Sequence, residues 1–418
     1  MTADNPMRLT VITQYYVPEP SRTPTSITRG LAARGHRVRV VTGFPNYPTG
    51  RLYDGYRQSL THVERDDAGL QVRRVPLVTS HSSNGLTRAL NYLSFMVSGL
   101  LATRFARGSD VTYVYASQPT GALAALVWRI ARGTPYVIHV QDLWPDSITA
   151  SGMLPSRMSK VVGAVINRAL RPLYSFAAAV VVISPYMRDA LIARGIDPGK
   201  LHVVFNWSPD ETPCASRAPS DAAGCTVTYA GNLGSAQGLD TAVQAARIVA
   251  DELPGFRLLF VGSGTMESEL RRLADGLECV EFRGRVPADK MPEIYAETSF
   301  QLVILRPTGD LAGAVPSKLQ ASLSAGMPVI CSAPGSAPEI VRSAAAGFTA
   351  SPGNVEELAE AYRRAYACSS SDHAAYARNA RAYYTEHLSS TVGLAKLEAL
   401  LSSAIKSTAR RAHSPQEA

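Results

Sequence analysis

Five short stretches of this sequence combine residue types that bind or transform a ligand, and each stands between an apolar run and a helical stretch. The stretch Tyr15-Tyr16-Val17-Pro18-Glu19-Pro20-Ser21-Arg22 is stiffened by prolines and ends on Arg22, an arginine able to meet an anion at a helix start. Gly43-Phe44-Pro45-Asn46-Tyr47-Pro48 is a rigid platform on which a sugar or lipid can stack, with Asn46 and Tyr47 as contacts. His139-Val140-Gln141-Asp142-Leu143-Trp144-Pro145-Asp146 brings a histidine and two carboxylates together, the equipment of acid/base work or hydroxyl binding. A metal site would need further ligands, and neither spacing nor neighbours supply them. Gly231-Asn232-Leu233-Gly234-Ser235-Ala236-Gln237-Gly238 sets glycines before a helix, where backbone amides can approach phosphate oxygens. Its spacing is not that of a dinucleotide fingerprint, nor is that of Gly262-Ser263-Gly264. Finally, Gly313-Ala314-Val315-Pro316-Ser317-Lys318 reads as an anion-binding helix start, with Lys318 bringing the positive charge a diphosphate requires. Taken singly, each also reads as a plain element: a rigid loop, a satisfied polar cluster, a strand-to-helix turn, a Ser-capped helix.

Other chemistries find no residues. There is no GxSxG elbow and no GxxxxGK[ST] loop. Asp66-Asp67 lacks DxD spacing and reads as a solvated loop. The five cysteines are scattered, with no CxxC pair, which suits a reducing compartment rather than a disulfide scaffold or a zinc site. The net charge of +8 divides unevenly: residues 1–206 carry +12 and residues 207–418 carry −4. A basic first half implies an anionic partner: nucleic acid, an anionic membrane, or a phosphate-bearing substrate. The first residues lack the basic and apolar regions of a signal peptide. The longest uncharged stretches, 111–128 and 319–338, are broken by glycines and prolines, so neither reads as a membrane span. A cytoplasmic protein, free or peripheral on the inner face of the plasma membrane, is expected.

The elements that must position these loops repeat along the chain. An apolar strand at 9–13, a helix near 25–34 and a strand at 38–42 form a βαβ unit and so predict a parallel sheet. Further short apolar runs follow at 111–115, 136–140 and 179–183. An aperiodic Pro/Ser/Ala stretch at 207–224 reads as a linker. The rhythm then restarts with strands at 226–230, 257–261, 281–283, 301–305 and 328–331, separated by helices. The length exceeds what one core usually supports. The expected organisation is two α/β domains in tandem, at 1–206 and 225–388, joined by the linker at 207–224 and followed at 389–418 by a last helix and a frayed tail.

The second half contains YAGNLGSAQGLDTAVQAA, LLFVGSGTMESELRRLA, VEFRGRVPADKMPEIYAE, AVPSKLQASLSAGMPVI and APGSAPEIVRSAAAGFTASPGN. The first half contains RGHRVRVVTGFPNYPTG, HVQDLWPDS and VVISPYMRDALIARGIDPGKLHVVFNW. In that order and spacing they resemble family 4 glycosyltransferases, and in particular the branch that builds bacterial O-antigen and colanic-acid polysaccharides. The resemblance spans residues 9–388. It implies an α/β chain of the GT-B fold, two Rossmann-like domains facing across a cleft, with retention of anomeric configuration and no metal. The domain at 1–206 would then bind the acceptor and that at 225–388 the nucleotide-sugar, with the helix of 389–418 returning to the first domain. It places Gly231, Asn232 and Gln237 in the diphosphate loop, Arg283 and Arg285 at the base-binding edge, and Gly313, Ala314 and Val315 against the donor's phosphate and sugar. His139 and Asp142 fall in the loop that usually contacts the transferred sugar, where Gln141 is an alternative for the usual histidine. Two departures stand out. Many members carry Arg and Lys where this chain has Asn232 and Gln237, and the two-glutamate motif falls on Gly313 and Ala321. Lys318 and Arg306 are the expected replacements for the lost positive charge.

The expected function is a metal-independent hexosyl- or N-acetylhexosaminyltransferase of polysaccharide biosynthesis. It needs no cofactor beyond a nucleotide-sugar donor, expected as a UDP-sugar such as UDP-GlcNAc. The acceptor is expected to be lipid-linked, with 86–107, apolar with basic ends, as the stretch to dock on a membrane. A small-molecule acceptor of natural-product biosynthesis, a sugar-nucleotide epimerase or hydrolase, and a degenerate nucleotide-binding partner protein are the rivals. The dispersed basic residues argue against nucleic acid.

Overall fold

The computed structural model describes residues 6–80, 85–144, 156–220, 224–307 and 315–413. The chain divides into two compact units, the first formed by residues 1–205 with 393–418, the second by 206–392.

The first unit is built on eight strands: β1 (Arg8–Thr13), β2 (Arg37–Gly43), β3 (Val63–Arg65), β4 (Gln71–Val75), β5 (Val111–Ala116), β6 (Tyr136–Val140), β7 (Ala179–Val182) and β8 (Leu201–Val203). They lie in the order β3-β4-β2-β1-β5-β6-β7-β8, and only the β3–β4 pair is antiparallel. The central strands read as near-continuous apolar runs because helices cover both faces of a parallel sheet. One face packs under α2 (Gly85–Ser98), α3 (Leu123–Arg132), α4 (Ser156–Ser175) and α5 (Pro185–Ala193), through Phe95, Trp128, Leu173 and Met187. A first helix, α1 (Arg22–Ala33), joins β1 to β2.

The second unit repeats the plan with six strands: β9 (Cys225–Ala230), β10 (Phe256–Val261), β11 (Val280–Gly284), β12 (Phe300–Ile304), β13 (Val329–Ser332) and β14 (Gly347–Thr349). Their order is β11-β10-β9-β12-β13-β14 and every pair is parallel. The connecting helices are α6 (Leu239–Val249), α7 (Glu267–Leu273), α8 (Met291–Glu297), α9 (Ser317–Ala325), α10 (Ala337–Ser343), α11 (Val355–Tyr366) and α12 (Ser370–Tyr383). The aperiodic stretch after residue 206 is laced to this unit rather than hanging free. Cys214 N donates to Ala325 O (2.9 Å), Arg217 N to Thr298 O (2.9 Å), and Ser208 N to the Tyr384 hydroxyl (3.0 Å).

The last helix, α13 (Ser390–His413), belongs from Gly393 onward to the first unit. It crosses α1 closely at Gly30, where an added Cβ would lie 2.5 Å from Leu394 Cδ1. Glu398 accepts from Arg34 Nη1 (3.0 Å) and sits 3.0 Å from His36 Nε2. Because His36 Nδ1 accepts from Met7 N (3.2 Å), the ring proton sits on Nε2 and points at that carboxylate. Among the described residues no helix is long and apolar enough to cross a membrane.

Candidate functional site

In open parallel sheets, ligands bind beyond the carboxyl ends of strands where the order reverses. In the second unit the reversal lies between β9 and β12. A cavity of about 430 Å³ opens beside that point, on the β10–β11 side of β9, lined by the residues that end β9 (Ala230 to Asn232) and β10 (Val261 to Ser263) and follow β11 (Arg285, Val286), with α8 as its wall. That volume falls in the range of ~300–1,000 Å³ that holds a small ligand.

Gly231 stands at the mouth with φ +143°, a backbone conformation that excludes side chains. Even with the strain accepted, a Cβ there would lie 2.4 Å from Lys318 Cε and 2.9 Å from its Nζ. The lysine therefore lies directly along the glycine. Its Nζ sits 4.6 Å from the Tyr229 ring centroid, over the π face, and no carboxylate among the described residues pairs with it. Burial pushes its pKa down to about 8. A cation held on an aromatic face without a counter-ion is one that an incoming anion would complete. The Tyr229 hydroxyl lies within hydrogen-bond distance of Asn232 O (2.7 Å) and Gln237 Oε1 (3.2 Å), so Gln237 braces the loop. The Asn232 side chain is exposed.

The other expected donor contacts divide. Arg285 donates through Nε to Ser263 Oγ (2.6 Å) and lines the cavity. Arg283 does not line it. Its guanidinium is occupied by Glu281 (2.7 Å) and Glu297 in an ion pair on the sheet surface, which leaves its backbone as the part expected at the base-binding edge. Arg306 is likewise engaged, by Ser235 O (2.6 Å) and Asp240 Oδ1 (2.9 Å), and it ties the glycine loop to the start of α6. It is a positioning residue; Lys318 alone of the two expected replacement cations keeps its charge unpaired among the described residues. Val315 buries its side chain, while Gly313 and Ala314 lie outside the described residues. On α9 the neighbouring Gln320 is buried, and Ala321 offers no carboxylate. Among the described residues no three His, Cys, Asp or Glu converge as a metal site.

In the first unit the order reverses between β1 and β5. His139 is not on the loop there. It sits inside β6, fully buried, with Nδ1 2.6 Å from the Tyr113 hydroxyl and its ring edge-on to Tyr115. Burial pushes its pKa down to about 3. The expectation of a catalytic histidine is corrected: this is a neutral core residue, because a strand covered on both faces offers no direction towards solvent. Asp142, past the strand end, is solvent-accessible yet crowded enough by protein that its carboxyl is pushed up by desolvation, and no described cation pairs with it. Asn46 is also corrected. It is 2% exposed, its amide donates to Phe44 O (2.9 Å), and its backbone N–H donates to Glu19 Oε1 (2.7 Å). Tyr47, partly exposed, packs its ring 5.2 Å from Tyr15. Arg22 is exposed at the first position of α1. Asp66, read as solvated, accepts from the Tyr16 hydroxyl (2.9 Å) and from two loop amides.

The sequence reading missed a buried polar cluster beside the β1–β5 reversal. Gln14 Nε2 donates to Asn91 Oδ1 (2.6 Å), and Gln118 Nε2 donates to Gln14 Oε1. Gln14 and Gln118 stand just after β1 and β5, which is the signal that could have marked them. Over this cluster Tyr15 pairs with Tyr47, while Tyr92 meets Trp144 edge-on at 5.5 Å.

Two domain families match the chain. Residues 20–207 match the Glycosyl transferase 4-like domain, and residues 224–368 match Glycosyl transferases group 1. The chain belongs to the family 4 glycosyltransferases. It is similar to WcaI of Escherichia coli, a glycosyl transferase named for colanic acid biosynthesis, with 27% identity over 71% of this chain and 75% of that protein. WbjE of Pseudomonas aeruginosa, named as a glycosyltransferase, is 26% identical over 60% of this chain and 64% of its own length. Among solved structures, Anabaena HepE in complex with UDP superposes with a TM-score of 0.66 and 18% identity, covering 95% of this chain and 100% of that one. The fold of this glycosyltransferase is GT-B.

Proposed function

We propose that this glycosyltransferase binds a UDP-sugar in the second unit and transfers its hexose or N-acetylhexosamine, with retention, to a hydroxyl of a lipid-linked polysaccharide precursor held by the first. The observation that carries the reading is Lys318, a half-buried ammonium, unpaired among the described residues, lying along the glycine that lines the donor cavity. The uridine assignment draws on HepE, which is solved with UDP and with UDP-glucose. The colanic acid relative favours the precursor.

As the bond from sugar C1 to the phosphate oxygen breaks, charge gathers on the departing diphosphate. Lys318 and the amides of the glycine loop would meet it in a site of low dielectric, where such contacts count most. The acceptor oxygen bonds to C1 on the same face, and its proton passes to the departing phosphate oxygen. The protein then needs neither a nucleophile nor a metal ion, which fits a site whose histidine is sealed in the core. Asp142 would orient the acceptor hydroxyl, with Tyr15, Tyr47 and Tyr92 as the surface on which the acceptor's rings stack.

For the lipid part, α2 exposes Leu90, Leu93 and Val97, and Leu101 continues the line, all between 45 and 58% accessible. An apolar groove of about 550 Å³ runs beside it. Three stretches of the helix layer over this face (residues 85–107, 123–132 and 156–175) contain nine Arg and Lys and no Asp or Glu, while α5 adds one aspartate, Asp189, beside Arg188. Apolar side chains among cations suit an anionic bilayer surface.

The test is a thermal-shift screen with UDP-, GDP- and ADP-sugars, followed by transfer to polyprenyl diphosphosugars. UDP-sugars should stabilise most, and Lys318→Ala should weaken UDP by roughly 10–100-fold. Undiminished UDP binding by Lys318→Ala would overturn the assignment. Binding without turnover on any acceptor would favour a nucleotide-binding partner protein, in keeping with Ala321 in place of a carboxylate.

A further inference from the structure

We propose a second anion site in the first unit, a notch between α4 and the turn that follows α5, built to take a phosphate group. The notch has a volume of about 190 Å³, and its polar lining is Asn167, Arg168, Arg171, Tyr174 and Arg194. Three arginines therefore border a small space, and among the described residues no carboxylate lines it.

Several arginines of the chain are neutralised by acids: Arg8 with Asp110 (2.6 Å), Arg74 with Glu64 (2.6 Å), Arg306 with Asp240 (2.9 Å), Arg363 with Glu252 (2.7 Å). Arg168 and Arg171 are three apart on one helix and so share a face, yet neither has a carboxylate partner among the described residues. Like charges so placed repel, and an anion between them would reverse the sign of that interaction. Arg194 enters from the opposite wall and is held in place by donating through Nη1 to Trp144 O (2.6 Å). Tyr174, 5% exposed, forms the floor and offers a hydroxyl there.

Size and geometry name the ligand class. The volume lies below the ~300 Å³ at which sites for drug-sized ligands begin, so the notch suits one or two phosphates and not a nucleoside. The guanidinium fork matches two phosphate oxygens at once, with the tyrosine hydroxyl and Asn167 amide as further donors. Helix α4, which holds four Arg and Lys and no carboxylate, biases the local field towards anions. The inference does not depend on the donor reading, because every residue in it lies in the first unit.

The experiment titrates inorganic pyrophosphate into the full chain and into the Arg168→Gln/Arg171→Gln variant, each with and without saturating UDP. Both side chains are exposed, so the variant should keep its circular dichroism and its UDP affinity. The expected result is a binding event that UDP does not displace and that weakens at least about tenfold in the variant. Pyrophosphate binding equal in the two proteins, or none outside the UDP-competed event, would overturn the site. Sedimentation with vesicles of phosphatidylcholine, plain or doped with phosphatidic acid, then assigns the source. Loss of the doped-vesicle interaction along with pyrophosphate binding makes it a lipid headgroup, and loss of pyrophosphate binding alone makes it a soluble phosphate.

Discussion

At the scale of single residues, Lys318 and His139 both give up protons more readily than their free counterparts, yet they have opposite consequences. A diphosphate prefers the ammonium form of Lys318, whose pKa is about 8 in the empty protein. UDP affinity should therefore fall as pH rises through 8 towards 9, and Lys318→Met should bind weakly with no such slope; titration calorimetry across that range checks it. His139 is neutral in the fold, with a pKa of about 3, and ionises near 6.5 when unfolded. The unfolded chain therefore binds the extra proton between those values, and stability falls as pH drops through 6.5. The loss is about 2 kcal/mol by pH 5. Urea midpoints should show that part of the slope vanish in His139→Leu. The sequence made Lys318 legible because a lysine in the first turn after Pro316 has few directions to point. It misplaced His139 and Asn46 for a shared reason. Residue type tells what a side chain can bind, while its direction and its neighbours, Tyr113 and Glu19, come only from the fold.

At the scale of elements, the loops after β1 and β2 owe their shape to two buried charges that they do not themselves display. Glu19, 3% exposed, accepts from the backbone amides of Tyr16 (3.1 Å), Asn46 (2.7 Å) and Tyr47 (2.8 Å), and so latches one loop to the other. Arg74 on β4, 1% exposed, donates to Gly43 O and Val17 O at the roots of the same loops, pairs with Glu64, and lies over the Tyr56 ring. Glu19→Ala strands three amide donors and should cost about 3 kcal/mol of stability by urea unfolding. It should also weaken acceptor binding while leaving UDP affinity intact. The long apolar strands β1, β2, β5, β6, β9 and β10 were legible as runs. By contrast β3 and β4, VER and QVRRV, were not: β3 is a short edge strand with no buried residue, and the two arginines of β4 become buried only through partners elsewhere in the fold. Likewise β8 and β14, three residues each, are too short to show a period.

At the scale of the whole molecule, the repeat of α/β units could be read from the rhythm of strands and helices, whereas the return of a late helix to the first of them was implied by the family resemblance alone. The residues that fasten that helix could not be read, because Leu394 on Gly30 and Glu398 on Arg34 and His36 join positions more than three hundred residues apart. Ending the chain at residue 389 should uncover α1 and remove the first unit's melting transition in calorimetry, while the second unit keeps its own transition and its response to UDP. The same feature bears on biosynthesis. A ribosome releases the first sheet with one flank bare, then makes the entire second unit before the covering helix emerges. During that interval the nascent lobe shows chaperones an apolar seam around Leu31 and Met7. A message cut short would yield a product with sound nucleotide-binding parts and a permanently unfinished partner.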